Sequence, residues 1–386
     1  MKVGILIDRF NVGGVEKIAL EQVSALQDIG VEVDLLVLTK KPVVEDAFLD
    51  LRDKVSIVYL DQRLPRFLRS SFKFPVFNFF SFFHISYPFL LPFIVKRKEY
   101  SYVICHGTFT CFSAISLKYF SSIPYSAYIW DPIGYILEKV YKNSFNSVIF
   151  RILLSLAEML DSLILRTADE VLVGGKAHNE YFKKVLANVK ITVVAPSVHP
   201  IRRMNIKNRS GILLVTAWKK GKYPEYIFEI LKNIPTASIK LVGRWLDDDY
   251  RYEFEQNVRR NKYTKNIEIV GAVSEKELSE HYSKAEVFLQ INDDRGFGMP
   301  ALESAAHGTP FVIPKDQGVC ELFQSGIHGF YTVEKNTTEI TKCLKILLNT
   351  KAKSQKMGKA CYEIVKNNYS WQVHARDLMS VINRYS

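Results

Sequence analysis

The residues from Asn292 to Pro314 read NDDRGFGMPALESAAHGTPFVIP and hold the densest chemistry in the chain. Arg295, Gly296, Phe297, Gly298, Met299 and Pro300 make a turn with two glycines and a proline, followed by the helix formers Ala301 to Ala306. His307 and Gly308 stop that helix, and Phe311 to Ile313 give a short strand. A glycine-rich turn that opens a helix leaves unpaired N–H groups at the positive end of the helix dipole, which is a seat for a phosphate. Glu303, one turn in, can accept hydrogen bonds from the paired hydroxyls of a sugar. The same pattern also describes an ordinary buried joint between loop and helix.

Further candidates lie at the ends of short apolar runs. Val3 to Ile7 is a buried parallel strand, Asn11 to Gly14 a turn, Val15 to Leu20 the start of an amphipathic helix and Val31 to Leu38 the next strand. This is the βαβ opening of a Rossmann-like sheet, but the GxGxxG fingerprint is missing, so no dinucleotide cofactor is expected. Tyr102 to Cys105 ends at His106, and Tyr125 to Ile129 ends at Trp130 and Asp131. Side chains at the carboxyl ends of parallel strands face the ligand crevice, which makes His106 and Asp131 the catalytic candidates. A lone histidine beside a glycine is more often a satisfied structural one than a catalyst. The pattern restarts at Gly211 with the strand Ile212 to Val215 and the loop Thr216 to Lys222, in which Lys219, Lys220 and Lys222 offer flexible ammonium groups to a phosphate or form a solvated turn. Asp247, Asp248 and Asp249 suit the first turn of a helix better than a metal site. The five cysteines are scattered without a CxxC pair, so neither zinc nor a disulfide framework is expected, and a reducing cytosol is.

These residues need scaffolding. A length of 386 residues suggests two domains, and 48% hydrophobic with 24% charged residues is a globular composition. The net charge of +12 points to nucleic acid, an anionic membrane or phosphorylated substrates. Nucleic acid is set aside, because the aromatics cluster in one apolar run without a helix-turn-helix or RNA-binding signature. That run, Phe74 to Val95, has no Asp, Glu, Lys or Arg; Arg63, Arg66, Arg69 and Lys73 precede it and Lys96, Arg97 and Lys98 close it. It is long enough to span a bilayer, yet Pro75, Pro88 and Pro92 argue against a spanning helix. It reads as an aromatic and basic patch at the headgroups or as a packed pair of helices. Asp8 and Arg9 interrupt the first apolar run before signal-peptide length. Ser144 to Thr167 reads as a long helix, Ile191 to Val194 as the last strand of the first half, and the basic stretch to Arg209 as a linker.

Taken in order, these strings resemble the retaining glycosyltransferases of family 4, the "glycosyl transferases group 1", whose donor signature is Glu-Gly-Phe-Gly-Leu-Pro-x-Leu-Glu. Gly296, Phe297, Gly298, Pro300 and Glu303 match it; Arg295 stands where the first Glu belongs. Gly13, Gly14 and Glu16 are similar to the family's Gly-Gly-x-Glu loop, and Lys222 to the lysine of its Gly-Arg-x-x-x-x-Lys loop, in which Ala217 replaces the arginine. Trp130 replaces a family histidine that contacts the transferred sugar.

The resemblance implies an α/β protein of GT-B fold, with two Rossmann-like βαβ domains facing across a cleft. Residues 1–198 would be the acceptor domain, 199–368 the sugar-nucleotide domain and 369–386 a helix crossing back to the first. It implies a UDP- or GDP-linked sugar as co-substrate, no cofactor and no metal. Gly13, Gly14 and Lys222 would contact the diphosphate, backbone near Val273 the nucleobase and Glu303 the ribose, with Asp294, Arg295, Gly296, Phe297, Gly298 and Met299 around the donor. Arg295 would pair with an acidic sugar, or Asp294 would reach in while Arg295 faces solvent. The acceptor expected is a glycolipid, a lipid-linked oligosaccharide or a surface polysaccharide, met on the cytoplasmic face of the membrane by a peripheral enzyme. The alternative is a non-catalytic subunit of a membrane glycan-assembly complex.

Overall fold

The computed structural model describes residues 1–10, 13–40, 48–66, 82–130, 132–142, 145–175, 189–201, 208–291 and 297–385. They divide into two units: Met1–Pro196 with Trp371–Ser386, and Ser197–Ser370.

In the first unit, β1 (Lys2–Ile7), β2 (Glu32–Val37), β3 (Ile57–Tyr59), β4 (Tyr102–His106), β5 (Tyr125–Ile129), β6 (Glu170–Val173) and β7 (Ile191–Val193) form a parallel sheet in the order β3-β2-β1-β4-β5-β6-β7. A sheet covered on both faces needs strands apolar on both faces. Val3, Ile5 and Leu6 of β1 and Tyr102 to Cys105 of β4 are accordingly sealed from solvent. The helices are α1 (Gly14–Asp28), α2 (Leu49–Arg52), α3 (Phe82–Ile94), α4 (Thr108–Ser121), α5 (Ile133–Tyr141) and α6 (Ser147–Thr167). The strand order reverses between β1 and β4, so the ligand-facing point of this sheet lies at their carboxyl ends. α6 begins at Ser147 because the Asn146 side chain caps the Val148 N–H at 2.9 Å. In the basic and aromatic segment, residues 67–81 lie outside the described residues, and α3 is a single helix of 13 residues. It carries Pro88 and Pro92 inside, one turn apart, and each removes one N–H donor from the helix. No helix among the described residues is long and apolar enough to cross a membrane.

The second unit repeats the design. Its strands β8 (Ile212–Val215), β9 (Ile239–Val242), β10 (Ile267–Gly271), β11 (Val287–Leu289), β12 (Phe311–Pro314) and β13 (Gly329–Thr332) pair in parallel in the order β10-β9-β8-β11-β12-β13. Around them lie α7 (Tyr226–Asn233), α8 (Asp248–Arg260), α9 (Glu275–Lys284), α10 (Met299–Ala306), α11 (Thr337–Asn349) and α12 (Lys351–Asn368). The Asp247 side chain accepts from Tyr250 N–H at 2.9 Å, and Asp248 and Asp249 fill the first turn of α8, so the three aspartates start a helix. The reversal of strand order here falls between β8 and β11. The last helix, α13 (Trp371–Ile382), packs on α1 as part of the first unit.

Candidate functional site

The glycine turn meets the second sheet at its reversal point, after β11. Gly298 has φ +91°, and a Cβ there would lie 2.5 Å from Gln317 Oε1 and 2.8 Å from Val319 Cγ1, so only glycine fits. Phe297 is buried, and its carbonyl accepts from Val319 N–H at 2.6 Å; its ring lies against Gly318, where a Cβ would be 3.1 Å from Phe297 Cδ2. Met299 opens α10 with Pro300 in the first turn, where a missing N–H costs nothing. Asn292 to Gly296, and with them Asp294, Arg295 and Gly296 among the expected donor residues, lie outside the described residues.

Glu303 is held from below. The buried Tyr282 hydroxyl donates to Glu303 Oε2 at 2.9 Å, and burial together with that carboxylate pushes the phenol far above its ordinary range. The phenol therefore stays a donor and fixes the carboxylate. The other end of α10 is clamped by Arg209, whose guanidinium donates to the carbonyls of His307 at 2.6 Å and Gly308 at 2.7 Å and to Thr309 Oγ1. A cation at a helix C-terminus complements the dipole, although burial lowers this guanidinium to about 10.

The lysine loop follows β8. Its Lys222 sits in a turn closed by Lys222 N–H on Lys219 O at 3.0 Å. Trp218 locks this loop to the one after β9: its N–H donates to Arg244 O at 2.8 Å, its indole to Val242 O at 3.1 Å, and Leu246 N–H returns to Trp218 O at 2.9 Å. Gly243 is where the two loops cross, since a Cβ there would lie 1.9 Å from Thr216 O. The crossing pairs the backbone of half-buried Arg244 with Trp218, the residue after Ala217. Sequence reasoning gives neither Arg244 nor Tyr282 a role in the site; the signal that could have found Arg244 is the Gly243-Arg244 pair after an apolar strand, in a sheet of this order. Val273, half-buried, lies between β10 and the Ser274 cap of α9. Lys222, Val273, Phe297, Gly298, Met299 and Glu303 thus share the carboxyl-end edge of one sheet.

In the first unit, Gly13 precedes α1 in extended backbone, and a Cβ there would lie 2.5 Å from Glu16 Oε2. The Glu16 carboxyl therefore lies over the loop. Burial, helped by the charge of Asp8 and opposed by the backbone amide of Glu16, pushes it up to about 7. Gly14 is exposed at the helix start.

His106 is buried at the end of β4 and tied at both nitrogens. The Trp130 indole, a donor only, donates to His106 Nδ1 at 3.2 Å, so Nε2 carries the hydrogen and donates to Gln22 Oε1 at 2.6 Å. The Gln22 amide then donates to His374 Nε2 at 2.9 Å, and His374 Nδ1 donates to Ala195 O at 2.8 Å. Each group has one consistent role, and burial lowers His106 to about 3 and His374 to about 4. A neutral imidazole so engaged takes up a proton only by breaking the chain. Asp131 lies outside the described residues; after it, the start of α5 is held by Asp161, which accepts from Ile133 N–H at 3.0 Å and Gly134 N–H at 2.9 Å.

Residues 202–364 match the family described as glycosyl transferases group 1. The chain is 28% identical over 168 residues to a sucrose synthase of Melioribacter roseus, a match covering 39% of this chain and 21% of that enzyme's length. In fold it is similar to a sucrose-phosphate synthase from Thermosynechococcus elongatus, with TM-score 0.77 and 16% identity over 100% of this chain and 98% of the other. It is similar also to HepE of Anabaena in complex with UDP and glucose, with TM-score 0.76 and 14% identity over 100% of both chains. At these identities the likeness to solved structures speaks to the fold, which is GT-B.

Proposed function

Since residues 202–364 match glycosyl transferases group 1 and the chain has the GT-B fold, we propose that the protein moves a hexosyl group from a UDP- or GDP-linked sugar to a glycan acceptor. The transfer proposed is retaining and independent of metal. The bond from the anomeric carbon to the diphosphate breaks, a bond to the acceptor oxygen forms on the same face, and the acceptor proton passes to the departing diphosphate. One observation carries the reading: Gly298, which only glycine can occupy, opens α10 one turn before a carboxylate fixed by Tyr282. Helix N–H groups suit a diphosphate, and Glu303 suits the ribose hydroxyls. The HepE structure with UDP and glucose is consistent with such a ligand.

The work left to the protein is electrostatic: it must stabilise charge as the diphosphate leaves. Lys222, the amides of Gly13 and Gly14 and, in this reading, Arg244 supply it, with Arg244 replacing the guanidinium lost at Ala217. Val273 backbone would lie at the base. An acidic donor sugar on Arg295, or Asp294 in its place, is decided by assaying uronate and neutral donors against Arg295→Glu. The acceptor we assign is a membrane glycolipid, lipid-linked oligosaccharide or surface polysaccharide, reached from the cytoplasmic side. The test is a screen of uridine and guanosine sugar nucleotides for thermal stabilisation. At about a hundredfold excess over Kd one of them should add about 2.7 kcal/mol, or roughly 5–10 °C for a unit of this size. The bound His106 and the missing guanidinium at Ala217 favour a second reading, a non-catalytic subunit, for which no sugar nucleotide would raise Tm.

A further inference from the structure

We propose that the outer helical layer of the first unit, made of α3, α4 and α6, is a docking surface for an anionic lipid bilayer. The proposal deepens the membrane-acceptor reading above, and it stands on different residues from the donor site. α6 turns Ile149, Ile152, Leu156, Met159 and Leu163 toward solvent, at alternating spacings of three and four, with Met159 59% exposed. The opposite face of the helix buries Ala157 and Ile164 in the core, so α6 is apolar on both sides.

The neighbouring helices expose further apolar side chains close to the C-terminal end of α6. α4 packs against both α3 and α6. Lys98 N–H donates to Ser121 O at 3.2 Å, and Lys118 Nζ donates to Thr167 O at 2.8 Å, so the C-terminal ends of all three helices meet. At that end Phe93 is 86% and Phe120 72% exposed, with Tyr119 beside them. Large contiguous apolar surface on solvent marks an interaction site.

Charge selects the occupant. Lys96, Arg97 and Lys98 follow Phe93 after Ile94 and Val95 and are exposed. α6 exposes Arg151 and Arg166 against a single acid, Glu158. A second copy docked through the same face about a two-fold axis would set like charge against like, which disfavours it. Exposed aromatics, an apolar stripe and surrounding cations together match the headgroup boundary of an anionic membrane. Among the described residues no helix is long and apolar enough to cross a bilayer, and the contact proposed is one along the membrane surface.

The test is co-sedimentation, without nucleotide sugar, with vesicles of phosphatidylcholine carrying about 30% phosphatidylglycerol and with phosphatidylcholine alone. Wild type should pellet with the anionic vesicles, weaken as salt rises from about 0.1 M to about 0.5 M, and bind the neutral ones poorly. Phe93→Ser with Phe120→Ser should weaken binding by roughly tenfold per aromatic, and Ile152→Ser with Met159→Ser by a comparable factor. Because these side chains are already on solvent, Tm and any thermal shift with sugar nucleotides should hold, which separates this surface from the donor site. Wild type left in the supernatant, variants that pellet as wild type does, or a solution dimer dissolved by the α6 substitutions would each overturn the proposal.

Discussion

Glu16→Gln should make the protein more stable, and only above a particular pH. The carboxyl lies over Gly13 at the start of α1, where burial and the nearby charge of Asp8 carry it from the ordinary value of 4.5 to about 7. Below pH 4.5 the folded and unfolded chains both hold the proton, and above about 7 neither does. Between those limits the folded chain holds it and the unfolded chain does not, so stability falls as pH climbs through the window. At about 1.4 kcal/mol for each tenfold in proton affinity, the whole displacement corresponds to about 3 kcal/mol. The side chain keeps some contact with solvent, which brings the expectation to about 2–3 kcal/mol. Glutamine has the same shape and cannot ionise, so the variant escapes the cost. Thermal unfolding of both proteins from about pH 4 to about pH 9 checks it. The difference in Tm should be near zero in acid, open across the window, and reach roughly 4–10 °C in the variant's favour. A constant difference, or wild type gaining on the variant as pH rises, would show that the Glu16 carboxyl is solvated and that its assignment to a buried loop is wrong.

Gly298→Ala should cost about 2–4 kcal/mol in urea unfolding, since the added methyl must hold a left-handed backbone and enter the space of Gln317 and Val319; an unchanged midpoint would place the turn elsewhere. Arg244→Ala should lower the thermal shift given by the preferred sugar nucleotide, by about tenfold in affinity, and Ala217→Arg added to it should restore most of the loss. A silent Arg244→Ala, or a second change that restores nothing, would remove Arg244 from the diphosphate site.

What the sequence discloses here follows the range of the forces involved. The apolar runs of β1, β4 and β8 and the aspartates opening α8 are local patterns, and each lies where its residues predict. The turn from Phe297 to Met299 is local too, because a left-handed glycine and a proline in the first helical turn are fixed by their own backbone. Partners far apart in sequence were not legible. His106 looks the same to sequence whether it faces a substrate or is closed by Gln22, 84 residues away. Nothing at Arg209 announces the carbonyl of His307, 98 residues on, and nothing at Glu303 announces Tyr282.

α6 shows the same limit in another form. Apolar periodicity identifies Leu153, Leu154, Ala157, Leu160, Ile164 and Leu165 as its inward face, and all but the half-buried Leu154 belong to the core cluster or pack against it. The residues between them, Ile149, Ile152, Leu156, Met159 and Leu163, are no less apolar, so hydropathy gives no means of telling which face meets water. A helix apolar all round is ordinarily buried all round, and the sheet of this unit covers one side only. The exposed side is then an energetic debt that folding alone does not settle. α4 packs against both α3 and α6, and Lys98 N–H bonds the end of α4, so the proposed docking surface joins the aromatic and basic segment noticed in the sequence to the unremarked outer face of α6.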